Sequence, residues 1–247
     1  MLDTKKYFYC IALTKEQRVF NIPGMDGTSR VYTVNYNDLA AVVSDSSAER
    51  YSLSRQNLLA HQKVLEEVMK GFVLLPVKFG TQAENVEDIL KVLTKRYAEF
   101  KQSLEYFTGK NQMSLKVMWT DMSGVYREIT NSDPNIKKFL EEARAGRVSS
   151  RNDLIEIGQY VEQKLTEKKD TEREHVARGL KKYARLVNIK DNYGDAMFVN
   201  ADFLIDQDKQ ELFDGQLNQI AQLYGSSAYF KYIGPMPPYD FIQIFVD

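Results

Sequence analysis

The stretch VLLPVKFGT, residues 73–81, constrains the fold of this chain more than any other segment. Its apolar run lies between Gly71 and Gly80 and carries no reactive group other than Lys78, which is the pattern of a buried strand. Pro76 interrupts the run, and a proline donates no hydrogen bond to a neighbouring strand. We therefore predict a short strand at an edge or a bulged position of a sheet, which the chain leaves at Gly80 with a positive φ.

The charge balance and the single cysteine exclude several classes of protein. The chain has 33 basic and 34 acidic residues and a net charge of −1, so no overall field favours nucleic acid or an anionic membrane. No apolar run approaches the roughly 20 residues of a membrane-spanning helix, and the N-terminus lacks a signal-peptide pattern. Cys10 lies in an apolar segment, which favours a buried structural thiol over a nucleophile. We expect a soluble intracellular protein with no nucleic-acid or membrane partner.

Apolar and aromatic runs predict strands that alternate with amphipathic helices. The predicted strands cover residues 7–13, 31–34, 39–44, 73–79, 113–120, 196–205, 228–233 and 242–246. The predicted helices run from a cap at Ser52 or Ser54 to Lys70, over 85–107, from Pro134 to near Gly146, from Ser149 or Ser150 to about Asn188, and over 207–224. Residues 14–30 are predicted to be a loop with a turn at Asp26-Gly27.

Two helical patterns carry further predictions. In the first helix, Leu58, Leu59, Leu65 and Val68 follow helical spacing and are expected to face the core. In the long helix, residues 166–175 contain no apolar side chain. Such a segment is expected to project into solvent or to interrupt a helical hairpin.

The order strand, helix, strand, helix, strand occurs twice, and the strand at Met113 is shared by both copies. This order predicts an α+β fold of two ferredoxin-like domains, with helices covering one face of a mainly antiparallel sheet. We expect a first domain over residues 1–112 and a second over 113–233, with a long charged helical section at about 133–188. Residues 234–247 form a proline-rich tail. In it, the GPMPPYDF segment over 234–241 is expected to be a rigid extended linker, and residues 239–246 are expected to lie back along a sheet edge.

The sequence contains no candidate for catalytic chemistry. His61 and His175 are the two histidines, and neither occurs in a paired-histidine, HExxH or CxxC pattern. Phosphate-binding loops and the GxSxG nucleophile pattern are missing too. His61 is expected to be a core-edge or capping residue rather than a general base. We therefore predict a protein that is not an enzyme and has no catalytic, cofactor-binding or metal-binding residues and no cofactor.

Several segments together resemble the gas vesicle protein F/L family. They are the N-terminal YFYCIAL, LAAVVSD, Arg55 with Leu59, Ala60, His61 and Gln62 ahead of LLPVKFGT, the strand from Leu115 to Trp119, and GPMPPYDF near the C-terminus. These segments span nearly the whole chain, whereas the charged helical section is its least distinctive part. The length of the chain favours the F branch.

The resemblance implies a minor, non-enzymatic component of gas vesicles with a coiled-coil-like helical insertion. Such a protein would bind the hydrophobic shell subunit, gas vesicle protein A, and other accessory proteins during assembly. Its expected location is the gas vesicle, and the cytoplasm before assembly. Two alternatives remain open: a small-molecule-binding or regulatory ferredoxin-like module, and an oxidoreductase of the dimeric α+β barrel kind with His61 or His175 near a haem.

Overall fold

The computed structural model describes residues 4–146 and 150–245. It has a mixed α/β fold with two antiparallel sheets and one long helix. The chain divides into two compact units, one formed by Met1–Gln112 with Gly234–Asp247 and the other by Met113–Ile233. The C-terminal segment, which the sequence presents as a separate tail, is thus grouped with the first unit.

Six strands form the sheet of the first unit. They are β1 (Lys5–Leu13), β2 (Val19–Pro23), β3 (Arg30–Tyr36), β4 (Leu39–Ser46), β5 (Leu74–Pro76) and β6 (Gln82–Ala83). Their order is β2-β3-β4-β1-β5, and β6 also pairs with β1. The edge position of β5 confirms the prediction made from Pro76. The prediction of a loop over 14–30 is wrong at β2, although the turn at Asp26-Gly27 is present, with Gly27 at a φ of 80°.

Helices lie on both faces of this sheet, which differs from the one-sided arrangement expected. Tyr7 and Tyr9 of β1 pack in one core cluster with Val64, Leu65 and Val68 of α1 (Arg55–Met69). Phe8, on the opposite face of the same strand, lies beside Ile89 and Val92 of α2 (Val86–Lys95). Because both faces are covered, residues 7–12 of β1 are entirely buried.

The helix predicted over 85–107 is two helices, α2 and α3 (Tyr97–Phe107), which meet at Arg96. Arg96 leaves helical geometry with φ −110° and ψ 19°. Its guanidinium bonds both carboxylate oxygens of Glu99 and also donates to the carbonyl oxygen of Phe245 at 2.6 Å. These contacts occur at the break between α2 and α3, where the sequence has no proline or glycine.

Among the described residues, four strands form the second sheet and four α-helices lie in the second unit. The strands are β7 (Lys110–Trp119), β8 (Ala184–Ile189), β9 (Met197–Asp206) and β10 (Ala228–Met236), in the order β10-β7-β9-β8. The helices are α4 (Met122–Ser132), α5 (Pro134–Arg144), α6 (Arg151–Lys181) and α7 (Gln210–Tyr224). The strand at Met113 therefore lies in the second sheet. Along the chain the elements follow the order strand, helices, strand, strand, helix, strand.

The long helix differs from its predicted extent. Ser150 caps α6 by accepting the N–H of Asn152, whereas Ser149, the other predicted cap, lies outside the described residues. The predicted continuation to Asn188 is wrong because residues 184–189 pair with β9 as β8. Val187 fits the helical spacing of the apolar residues before it. The predicted helix was therefore too long, because α6 ends at Lys181.

Residues 166–175 are part of α6 and do not all project into solvent, so that prediction is wrong for one face of the helix. The ammonium group of Lys168 lies 2.7 Å from a carboxylate oxygen of Glu128 and 3.3 Å from one of Glu172. It also lies 6.0 Å from the centroid of the Trp119 ring, and the Lys168 side chain is only 19% exposed. A lysine can cover apolar surface with its methylene chain while its charge stays paired.

Candidate functional site

Three motif segments of the sequence meet at the hydroxyl group of Tyr7 in the first unit. This oxygen lies 3.0 Å from Nδ1 of His61 in α1 and accepts the backbone N–H of Gly80 at 3.0 Å. Gly80 has a φ of 84°, so the left-handed turn predicted after β5 is confirmed. A single hydroxyl group thus fixes a helix and a turn against β1.

The environment of His61 is that of a core residue. Its ring centroid lies 5.7 Å from those of Tyr7, Tyr9 and Phe79, and the residue is buried. Burial lowers the pKa of His61 to about 4, because the charged imidazolium loses its hydration. The neutral ring shares a hydrogen bond with the Tyr7 hydroxyl, which itself accepts from Gly80. This placement agrees with the expected structural role.

The remaining reactive candidates are also accounted for. Cys10 is fully buried, and burial raises the pKa of its thiol far above the ordinary value, so it stays protonated. His175 is exposed in the second unit, with its ring 6.3 Å from that of Tyr224. Lys78 places its ammonium group 5.3 Å from the ring of Phe245. None of these side chains is arranged as a nucleophile with an adjacent base.

The C-terminal segment covers the edge of β5. Ile244 forms an isolated parallel bridge with Val77, donates its N–H to the carbonyl of Pro76 and accepts the N–H of Lys78. The predicted strand over 242–246 is therefore a single bridge, and Val246 lies outside the described residues. The GPMPPYDF segment, expected to be an extended linker, instead continues β10 to Met236 and then turns.

An open groove on the first unit is the strongest candidate for a binding site. It has a volume of about 540 Å³ and lies between α1 and the turn that joins β2 to β3. Its walls combine apolar side chains with a few polar ones: Ile22, Pro23, Met25, Leu59 and Ala60, with Asn57 and Lys63. Grooves with this mixture of side chains and this size are typical of binding sites.

Exposed leucines occur in and just before α1, and one of them, Leu59, lines this groove. Leu58 and Leu59 are 43% and 45% exposed, and Leu53, just before the helix, is 79% exposed. The prediction that Leu58 and Leu59 face the core is wrong, because the buried face of α1 is centred on His61, Val64, Leu65 and Val68. We call this groove, with Leu59 in its wall, the α1 surface. Apolar side chains exposed along a groove are typical of interaction sites.

Residues 4–146 and 150–245 contain neither a candidate metal site nor a candidate membrane span. Within these ranges, no group of three or more His, Cys, Asp or Glu side chains is arranged to hold a metal ion. In the same ranges, every helix is too short or too polar to cross a bilayer.

Comparison with known proteins gives full-length matches. Residues 5–243 match the sequence model of the family described as "Gas vesicle synthesis protein GvpL/GvpF". Gas vesicle protein F of Dolichospermum flosaquae is 28% identical over 241 residues, which are 96% of this chain and 97% of the relative. Gas vesicle protein F of Haloferax mediterranei is 23% identical over 237 residues, with coverage of 95% and 92%.

Two crystal structures have the same fold. Gas vesicle protein GvpF from Anabaena superposes with a TM-score of 0.86 at 27% identity, covering 98% of this chain and 100% of the other. Gas vesicle protein GvpF from Microcystis aeruginosa superposes with a TM-score of 0.80 at 26% identity and the same coverage. Both relatives and both crystal structures carry the name of protein F.

Proposed function

This chain belongs to the gas vesicle synthesis protein GvpL/GvpF family, and from that premise we propose that it binds the apolar shell subunit, gas vesicle protein A, during assembly. The resemblance drawn from the sequence motifs is confirmed. An accessory role in gas vesicles follows from the relatives, whose names are those of gas vesicle proteins and not of enzymes. Binding of the shell subunit and of other accessory proteins is the proposal.

The α1 surface is the observation that carries this proposal. A subunit destined to form a gas-filled shell has a large apolar face, which would aggregate in water before assembly. Leu59, which is 45% exposed, lines the groove together with Ile22 and Pro23, and such apolar area is favourable to bury against an apolar partner. Lys63 and Asn57 at the groove keep the free surface hydrated.

Catalysis plays no part in this function. His61 is buried and hydrogen-bonded to Tyr7, and Cys10 is buried and protonated, so neither side chain is available to a substrate. The protein would act in the cytoplasm before assembly and at the gas vesicle afterwards.

The same proposal includes a fold relationship for the second unit. Its strands follow the sequence β-α-β-β-α-β with the spatial order β10-β7-β9-β8, which supports a ferredoxin-like domain over residues 113–233. In this reading, α4, α5 and α6 fill the place of a single crossover helix as an enlarged helical insertion. Residues 1–112 with the C-terminal segment form the other domain.

Capture of purified shell subunit by immobilised full-length protein tests the function. Because the proposed contact is apolar, capture should persist as salt is raised, whereas screening weakens purely ionic contacts. Failure to capture the subunit at both low and high salt would contradict the proposal. An absorption spectrum of the purified protein with added haem distinguishes this proposal from the oxidoreductase alternative. The oxidoreductase alternative requires a haem absorption band of stoichiometric intensity.

A further inference from the structure

A second groove lies in the second unit, between the antiparallel helices α5 and α6. It has a volume of about 660 Å³ and is lined by two sets of side chains, Asn135, Lys138, Phe139 and Glu142 from α5, and Asp153, Glu156, Ile157 and Tyr160 from α6. In each set the positions follow the spacing i, i+3, i+4, i+7, which is one face of a helix over two turns. The groove therefore runs along both helices.

One end of this groove is braced by hydrogen bonds. The hydroxyl of Tyr160 donates to Oδ2 of Asp133 at 2.9 Å, and the side-chain amide of Asn135 approaches the same hydroxyl at 3.5 Å. Asp133 also caps α5 by accepting the N–H groups of Asn135 and Ile136. Because Tyr160 links α6 to the cap of α5, the two helices are fixed at this end.

The floor of the groove is apolar and only half-buried. Phe139 and Ile157 contribute the apolar side chains, together with the ring of Tyr160. Leu140, Leu154 and Ile155, on neighbouring positions of the two helices, are 37%, 58% and 49% exposed. These three leucine and isoleucine side chains do not line the groove, whose own apolar side chains, Phe139 and Ile157, remain partly exposed.

The charge along the groove is unbalanced. Glu142, Asp153 and Glu156 bring three carboxylates to the lining, against the single ammonium group of Lys138. Asp153 and Glu156 are exposed. A partner that carries positive charge beside its apolar side chains would be complementary to this rim.

We propose that the α5–α6 groove binds an amphipathic helix of a partner protein, with Lys and Arg residues flanking its apolar stripe. A helix that enters a two-helix groove inserts apolar anchors at i, i+3, i+4 and i+7, which matches the spacing of the lining. The 11 residues of α5 extend over about 16 Å at 1.5 Å per residue, so about three turns of the partner would make contact. This proposal does not depend on binding of the shell subunit, which is assigned to the first unit.

A designed peptide provides the test. A fluorescent helical peptide with leucines on one face and Lys and Arg beside them is titrated with the full-length protein, and its anisotropy is recorded. The same peptide with Glu in place of Lys and Arg is the charge control, and a scrambled sequence without the apolar stripe is the pattern control. The basic amphipathic peptide should bind, and its affinity should fall as salt is raised.

Two variants with the same change in net charge locate the contact. E142K/D153K/E156K reverses the rim, whereas E105K/E141K/E211K changes three exposed carboxylates outside the groove. The rim variant should lose affinity about tenfold or more, and the control variant should stay within about twofold of the parent. Circular dichroism establishes that both variants keep their helices.

Three results would overturn the proposal. The first is equal binding of the basic peptide and either control peptide, and the second is an equal loss of affinity in both triple variants. The third is a dimer of the parent protein, seen by sedimentation, that the rim variant dissociates, because the groove would then hold a second copy of this chain.

Discussion

The backbone N–H of Gly80 donates a 3.0 Å hydrogen bond to the hydroxyl of Tyr7, so the left-handed turn after β5 is tied to a residue 73 positions earlier. The same hydroxyl lies 3.0 Å from Nδ1 of His61. Segments that are far apart in the sequence but that characterise the family are therefore joined at one buried group. Their common role is to hold α1 in place, and α1 presents the proposed binding surface.

Removal of this hydroxyl should destabilise the first unit. Tyr7→Phe leaves the Gly80 N–H and the His61 ring without their partner, and an unsatisfied buried polar group costs about 1–3 kcal/mol. Urea denaturation measures the loss as a lower midpoint. Tyr106→Phe, at a tyrosine that is 47% exposed, is the matched control and should change little. Equal midpoints for the two variants would show that the Tyr7 bonds do not contribute.

The turn at Gly80 makes a separate prediction about backbone conformation. A Cβ at this position meets no atom within 4 Å, so any cost of Gly80→Val arises from the φ of 84° and not from a clash. A β-branched residue in this region should lower the free energy of unfolding by about 1–3 kcal/mol. Gly80→Asn should cost less, because asparagine tolerates positive φ. An unchanged thermal midpoint for Gly80→Val would refute the strained-turn explanation.

Stability should depend on pH through His61. Its pKa is about 4 in the folded protein and about 6.5 in an unfolded chain, so the unfolded state binds more protons between these values. The contribution of neutral His61 to the free energy of unfolding is therefore complete above about pH 6.5. It is lost as the pH falls towards 4, by at most about 1.4 kcal/mol per pH unit.

Urea midpoints measured from pH 8 down to pH 5 test this dependence. His61→Gln should remove most of the slope, whatever its effect on stability at neutral pH. His175→Gln, at the exposed histidine, should leave the slope in place. The explanation fails if His175→Gln flattens the profile and His61→Gln does not.

Lys168 should matter for stability although it lies in a segment without apolar residues. Lys168→Glu places a third carboxylate beside Glu128 and Glu172 and removes the methylene chain near Trp119. We expect a loss of about 1–2 kcal/mol in the free energy of unfolding. Arg178→Glu, at a side chain that is 79% exposed on the same helix, should cost no more than about 0.5 kcal/mol. Urea denaturation compares the two variants. Comparable midpoints for Lys168→Glu and Arg178→Glu would mean that the Lys168 side chain is not packed.

Local signals in the sequence were sufficient for some elements. Pro76 and Gly80 predicted an edge strand followed by a left-handed turn, because both residues restrict the backbone directly. Asp133 and Pro134 likewise predicted the start of α5, where the Asp133 side chain caps the helix. In these cases the residues that form the feature are neighbours in the chain.

Other elements depend on contacts that a local pattern does not contain. β2 is a short edge strand that ends at Pro23 and pairs with β3. The break at Arg96 accompanies a bond to Phe245, 149 residues away. The α1 surface was missed because the polar residue His61 occupies a core position, which shifts the buried face away from Leu58 and Leu59. Leu58 is seven residues from Leu65, which is buried, so periodicity alone did not show that Leu58 is exposed.

Capture of the purified shell subunit by two matched double variants tests the central claim most directly. Leu58→Asn/Leu59→Asn removes exposed apolar area from α1, including the groove wall at Leu59, and Leu212→Asn/Leu223→Asn makes the same change at leucines that are 58% and 75% exposed in the second unit. We predict that the parent protein and the second variant capture the subunit at high salt, and that the first variant loses at least about tenfold in affinity. Equal capture by both variants would contradict the assignment of the site, and no capture by the parent protein would contradict the function.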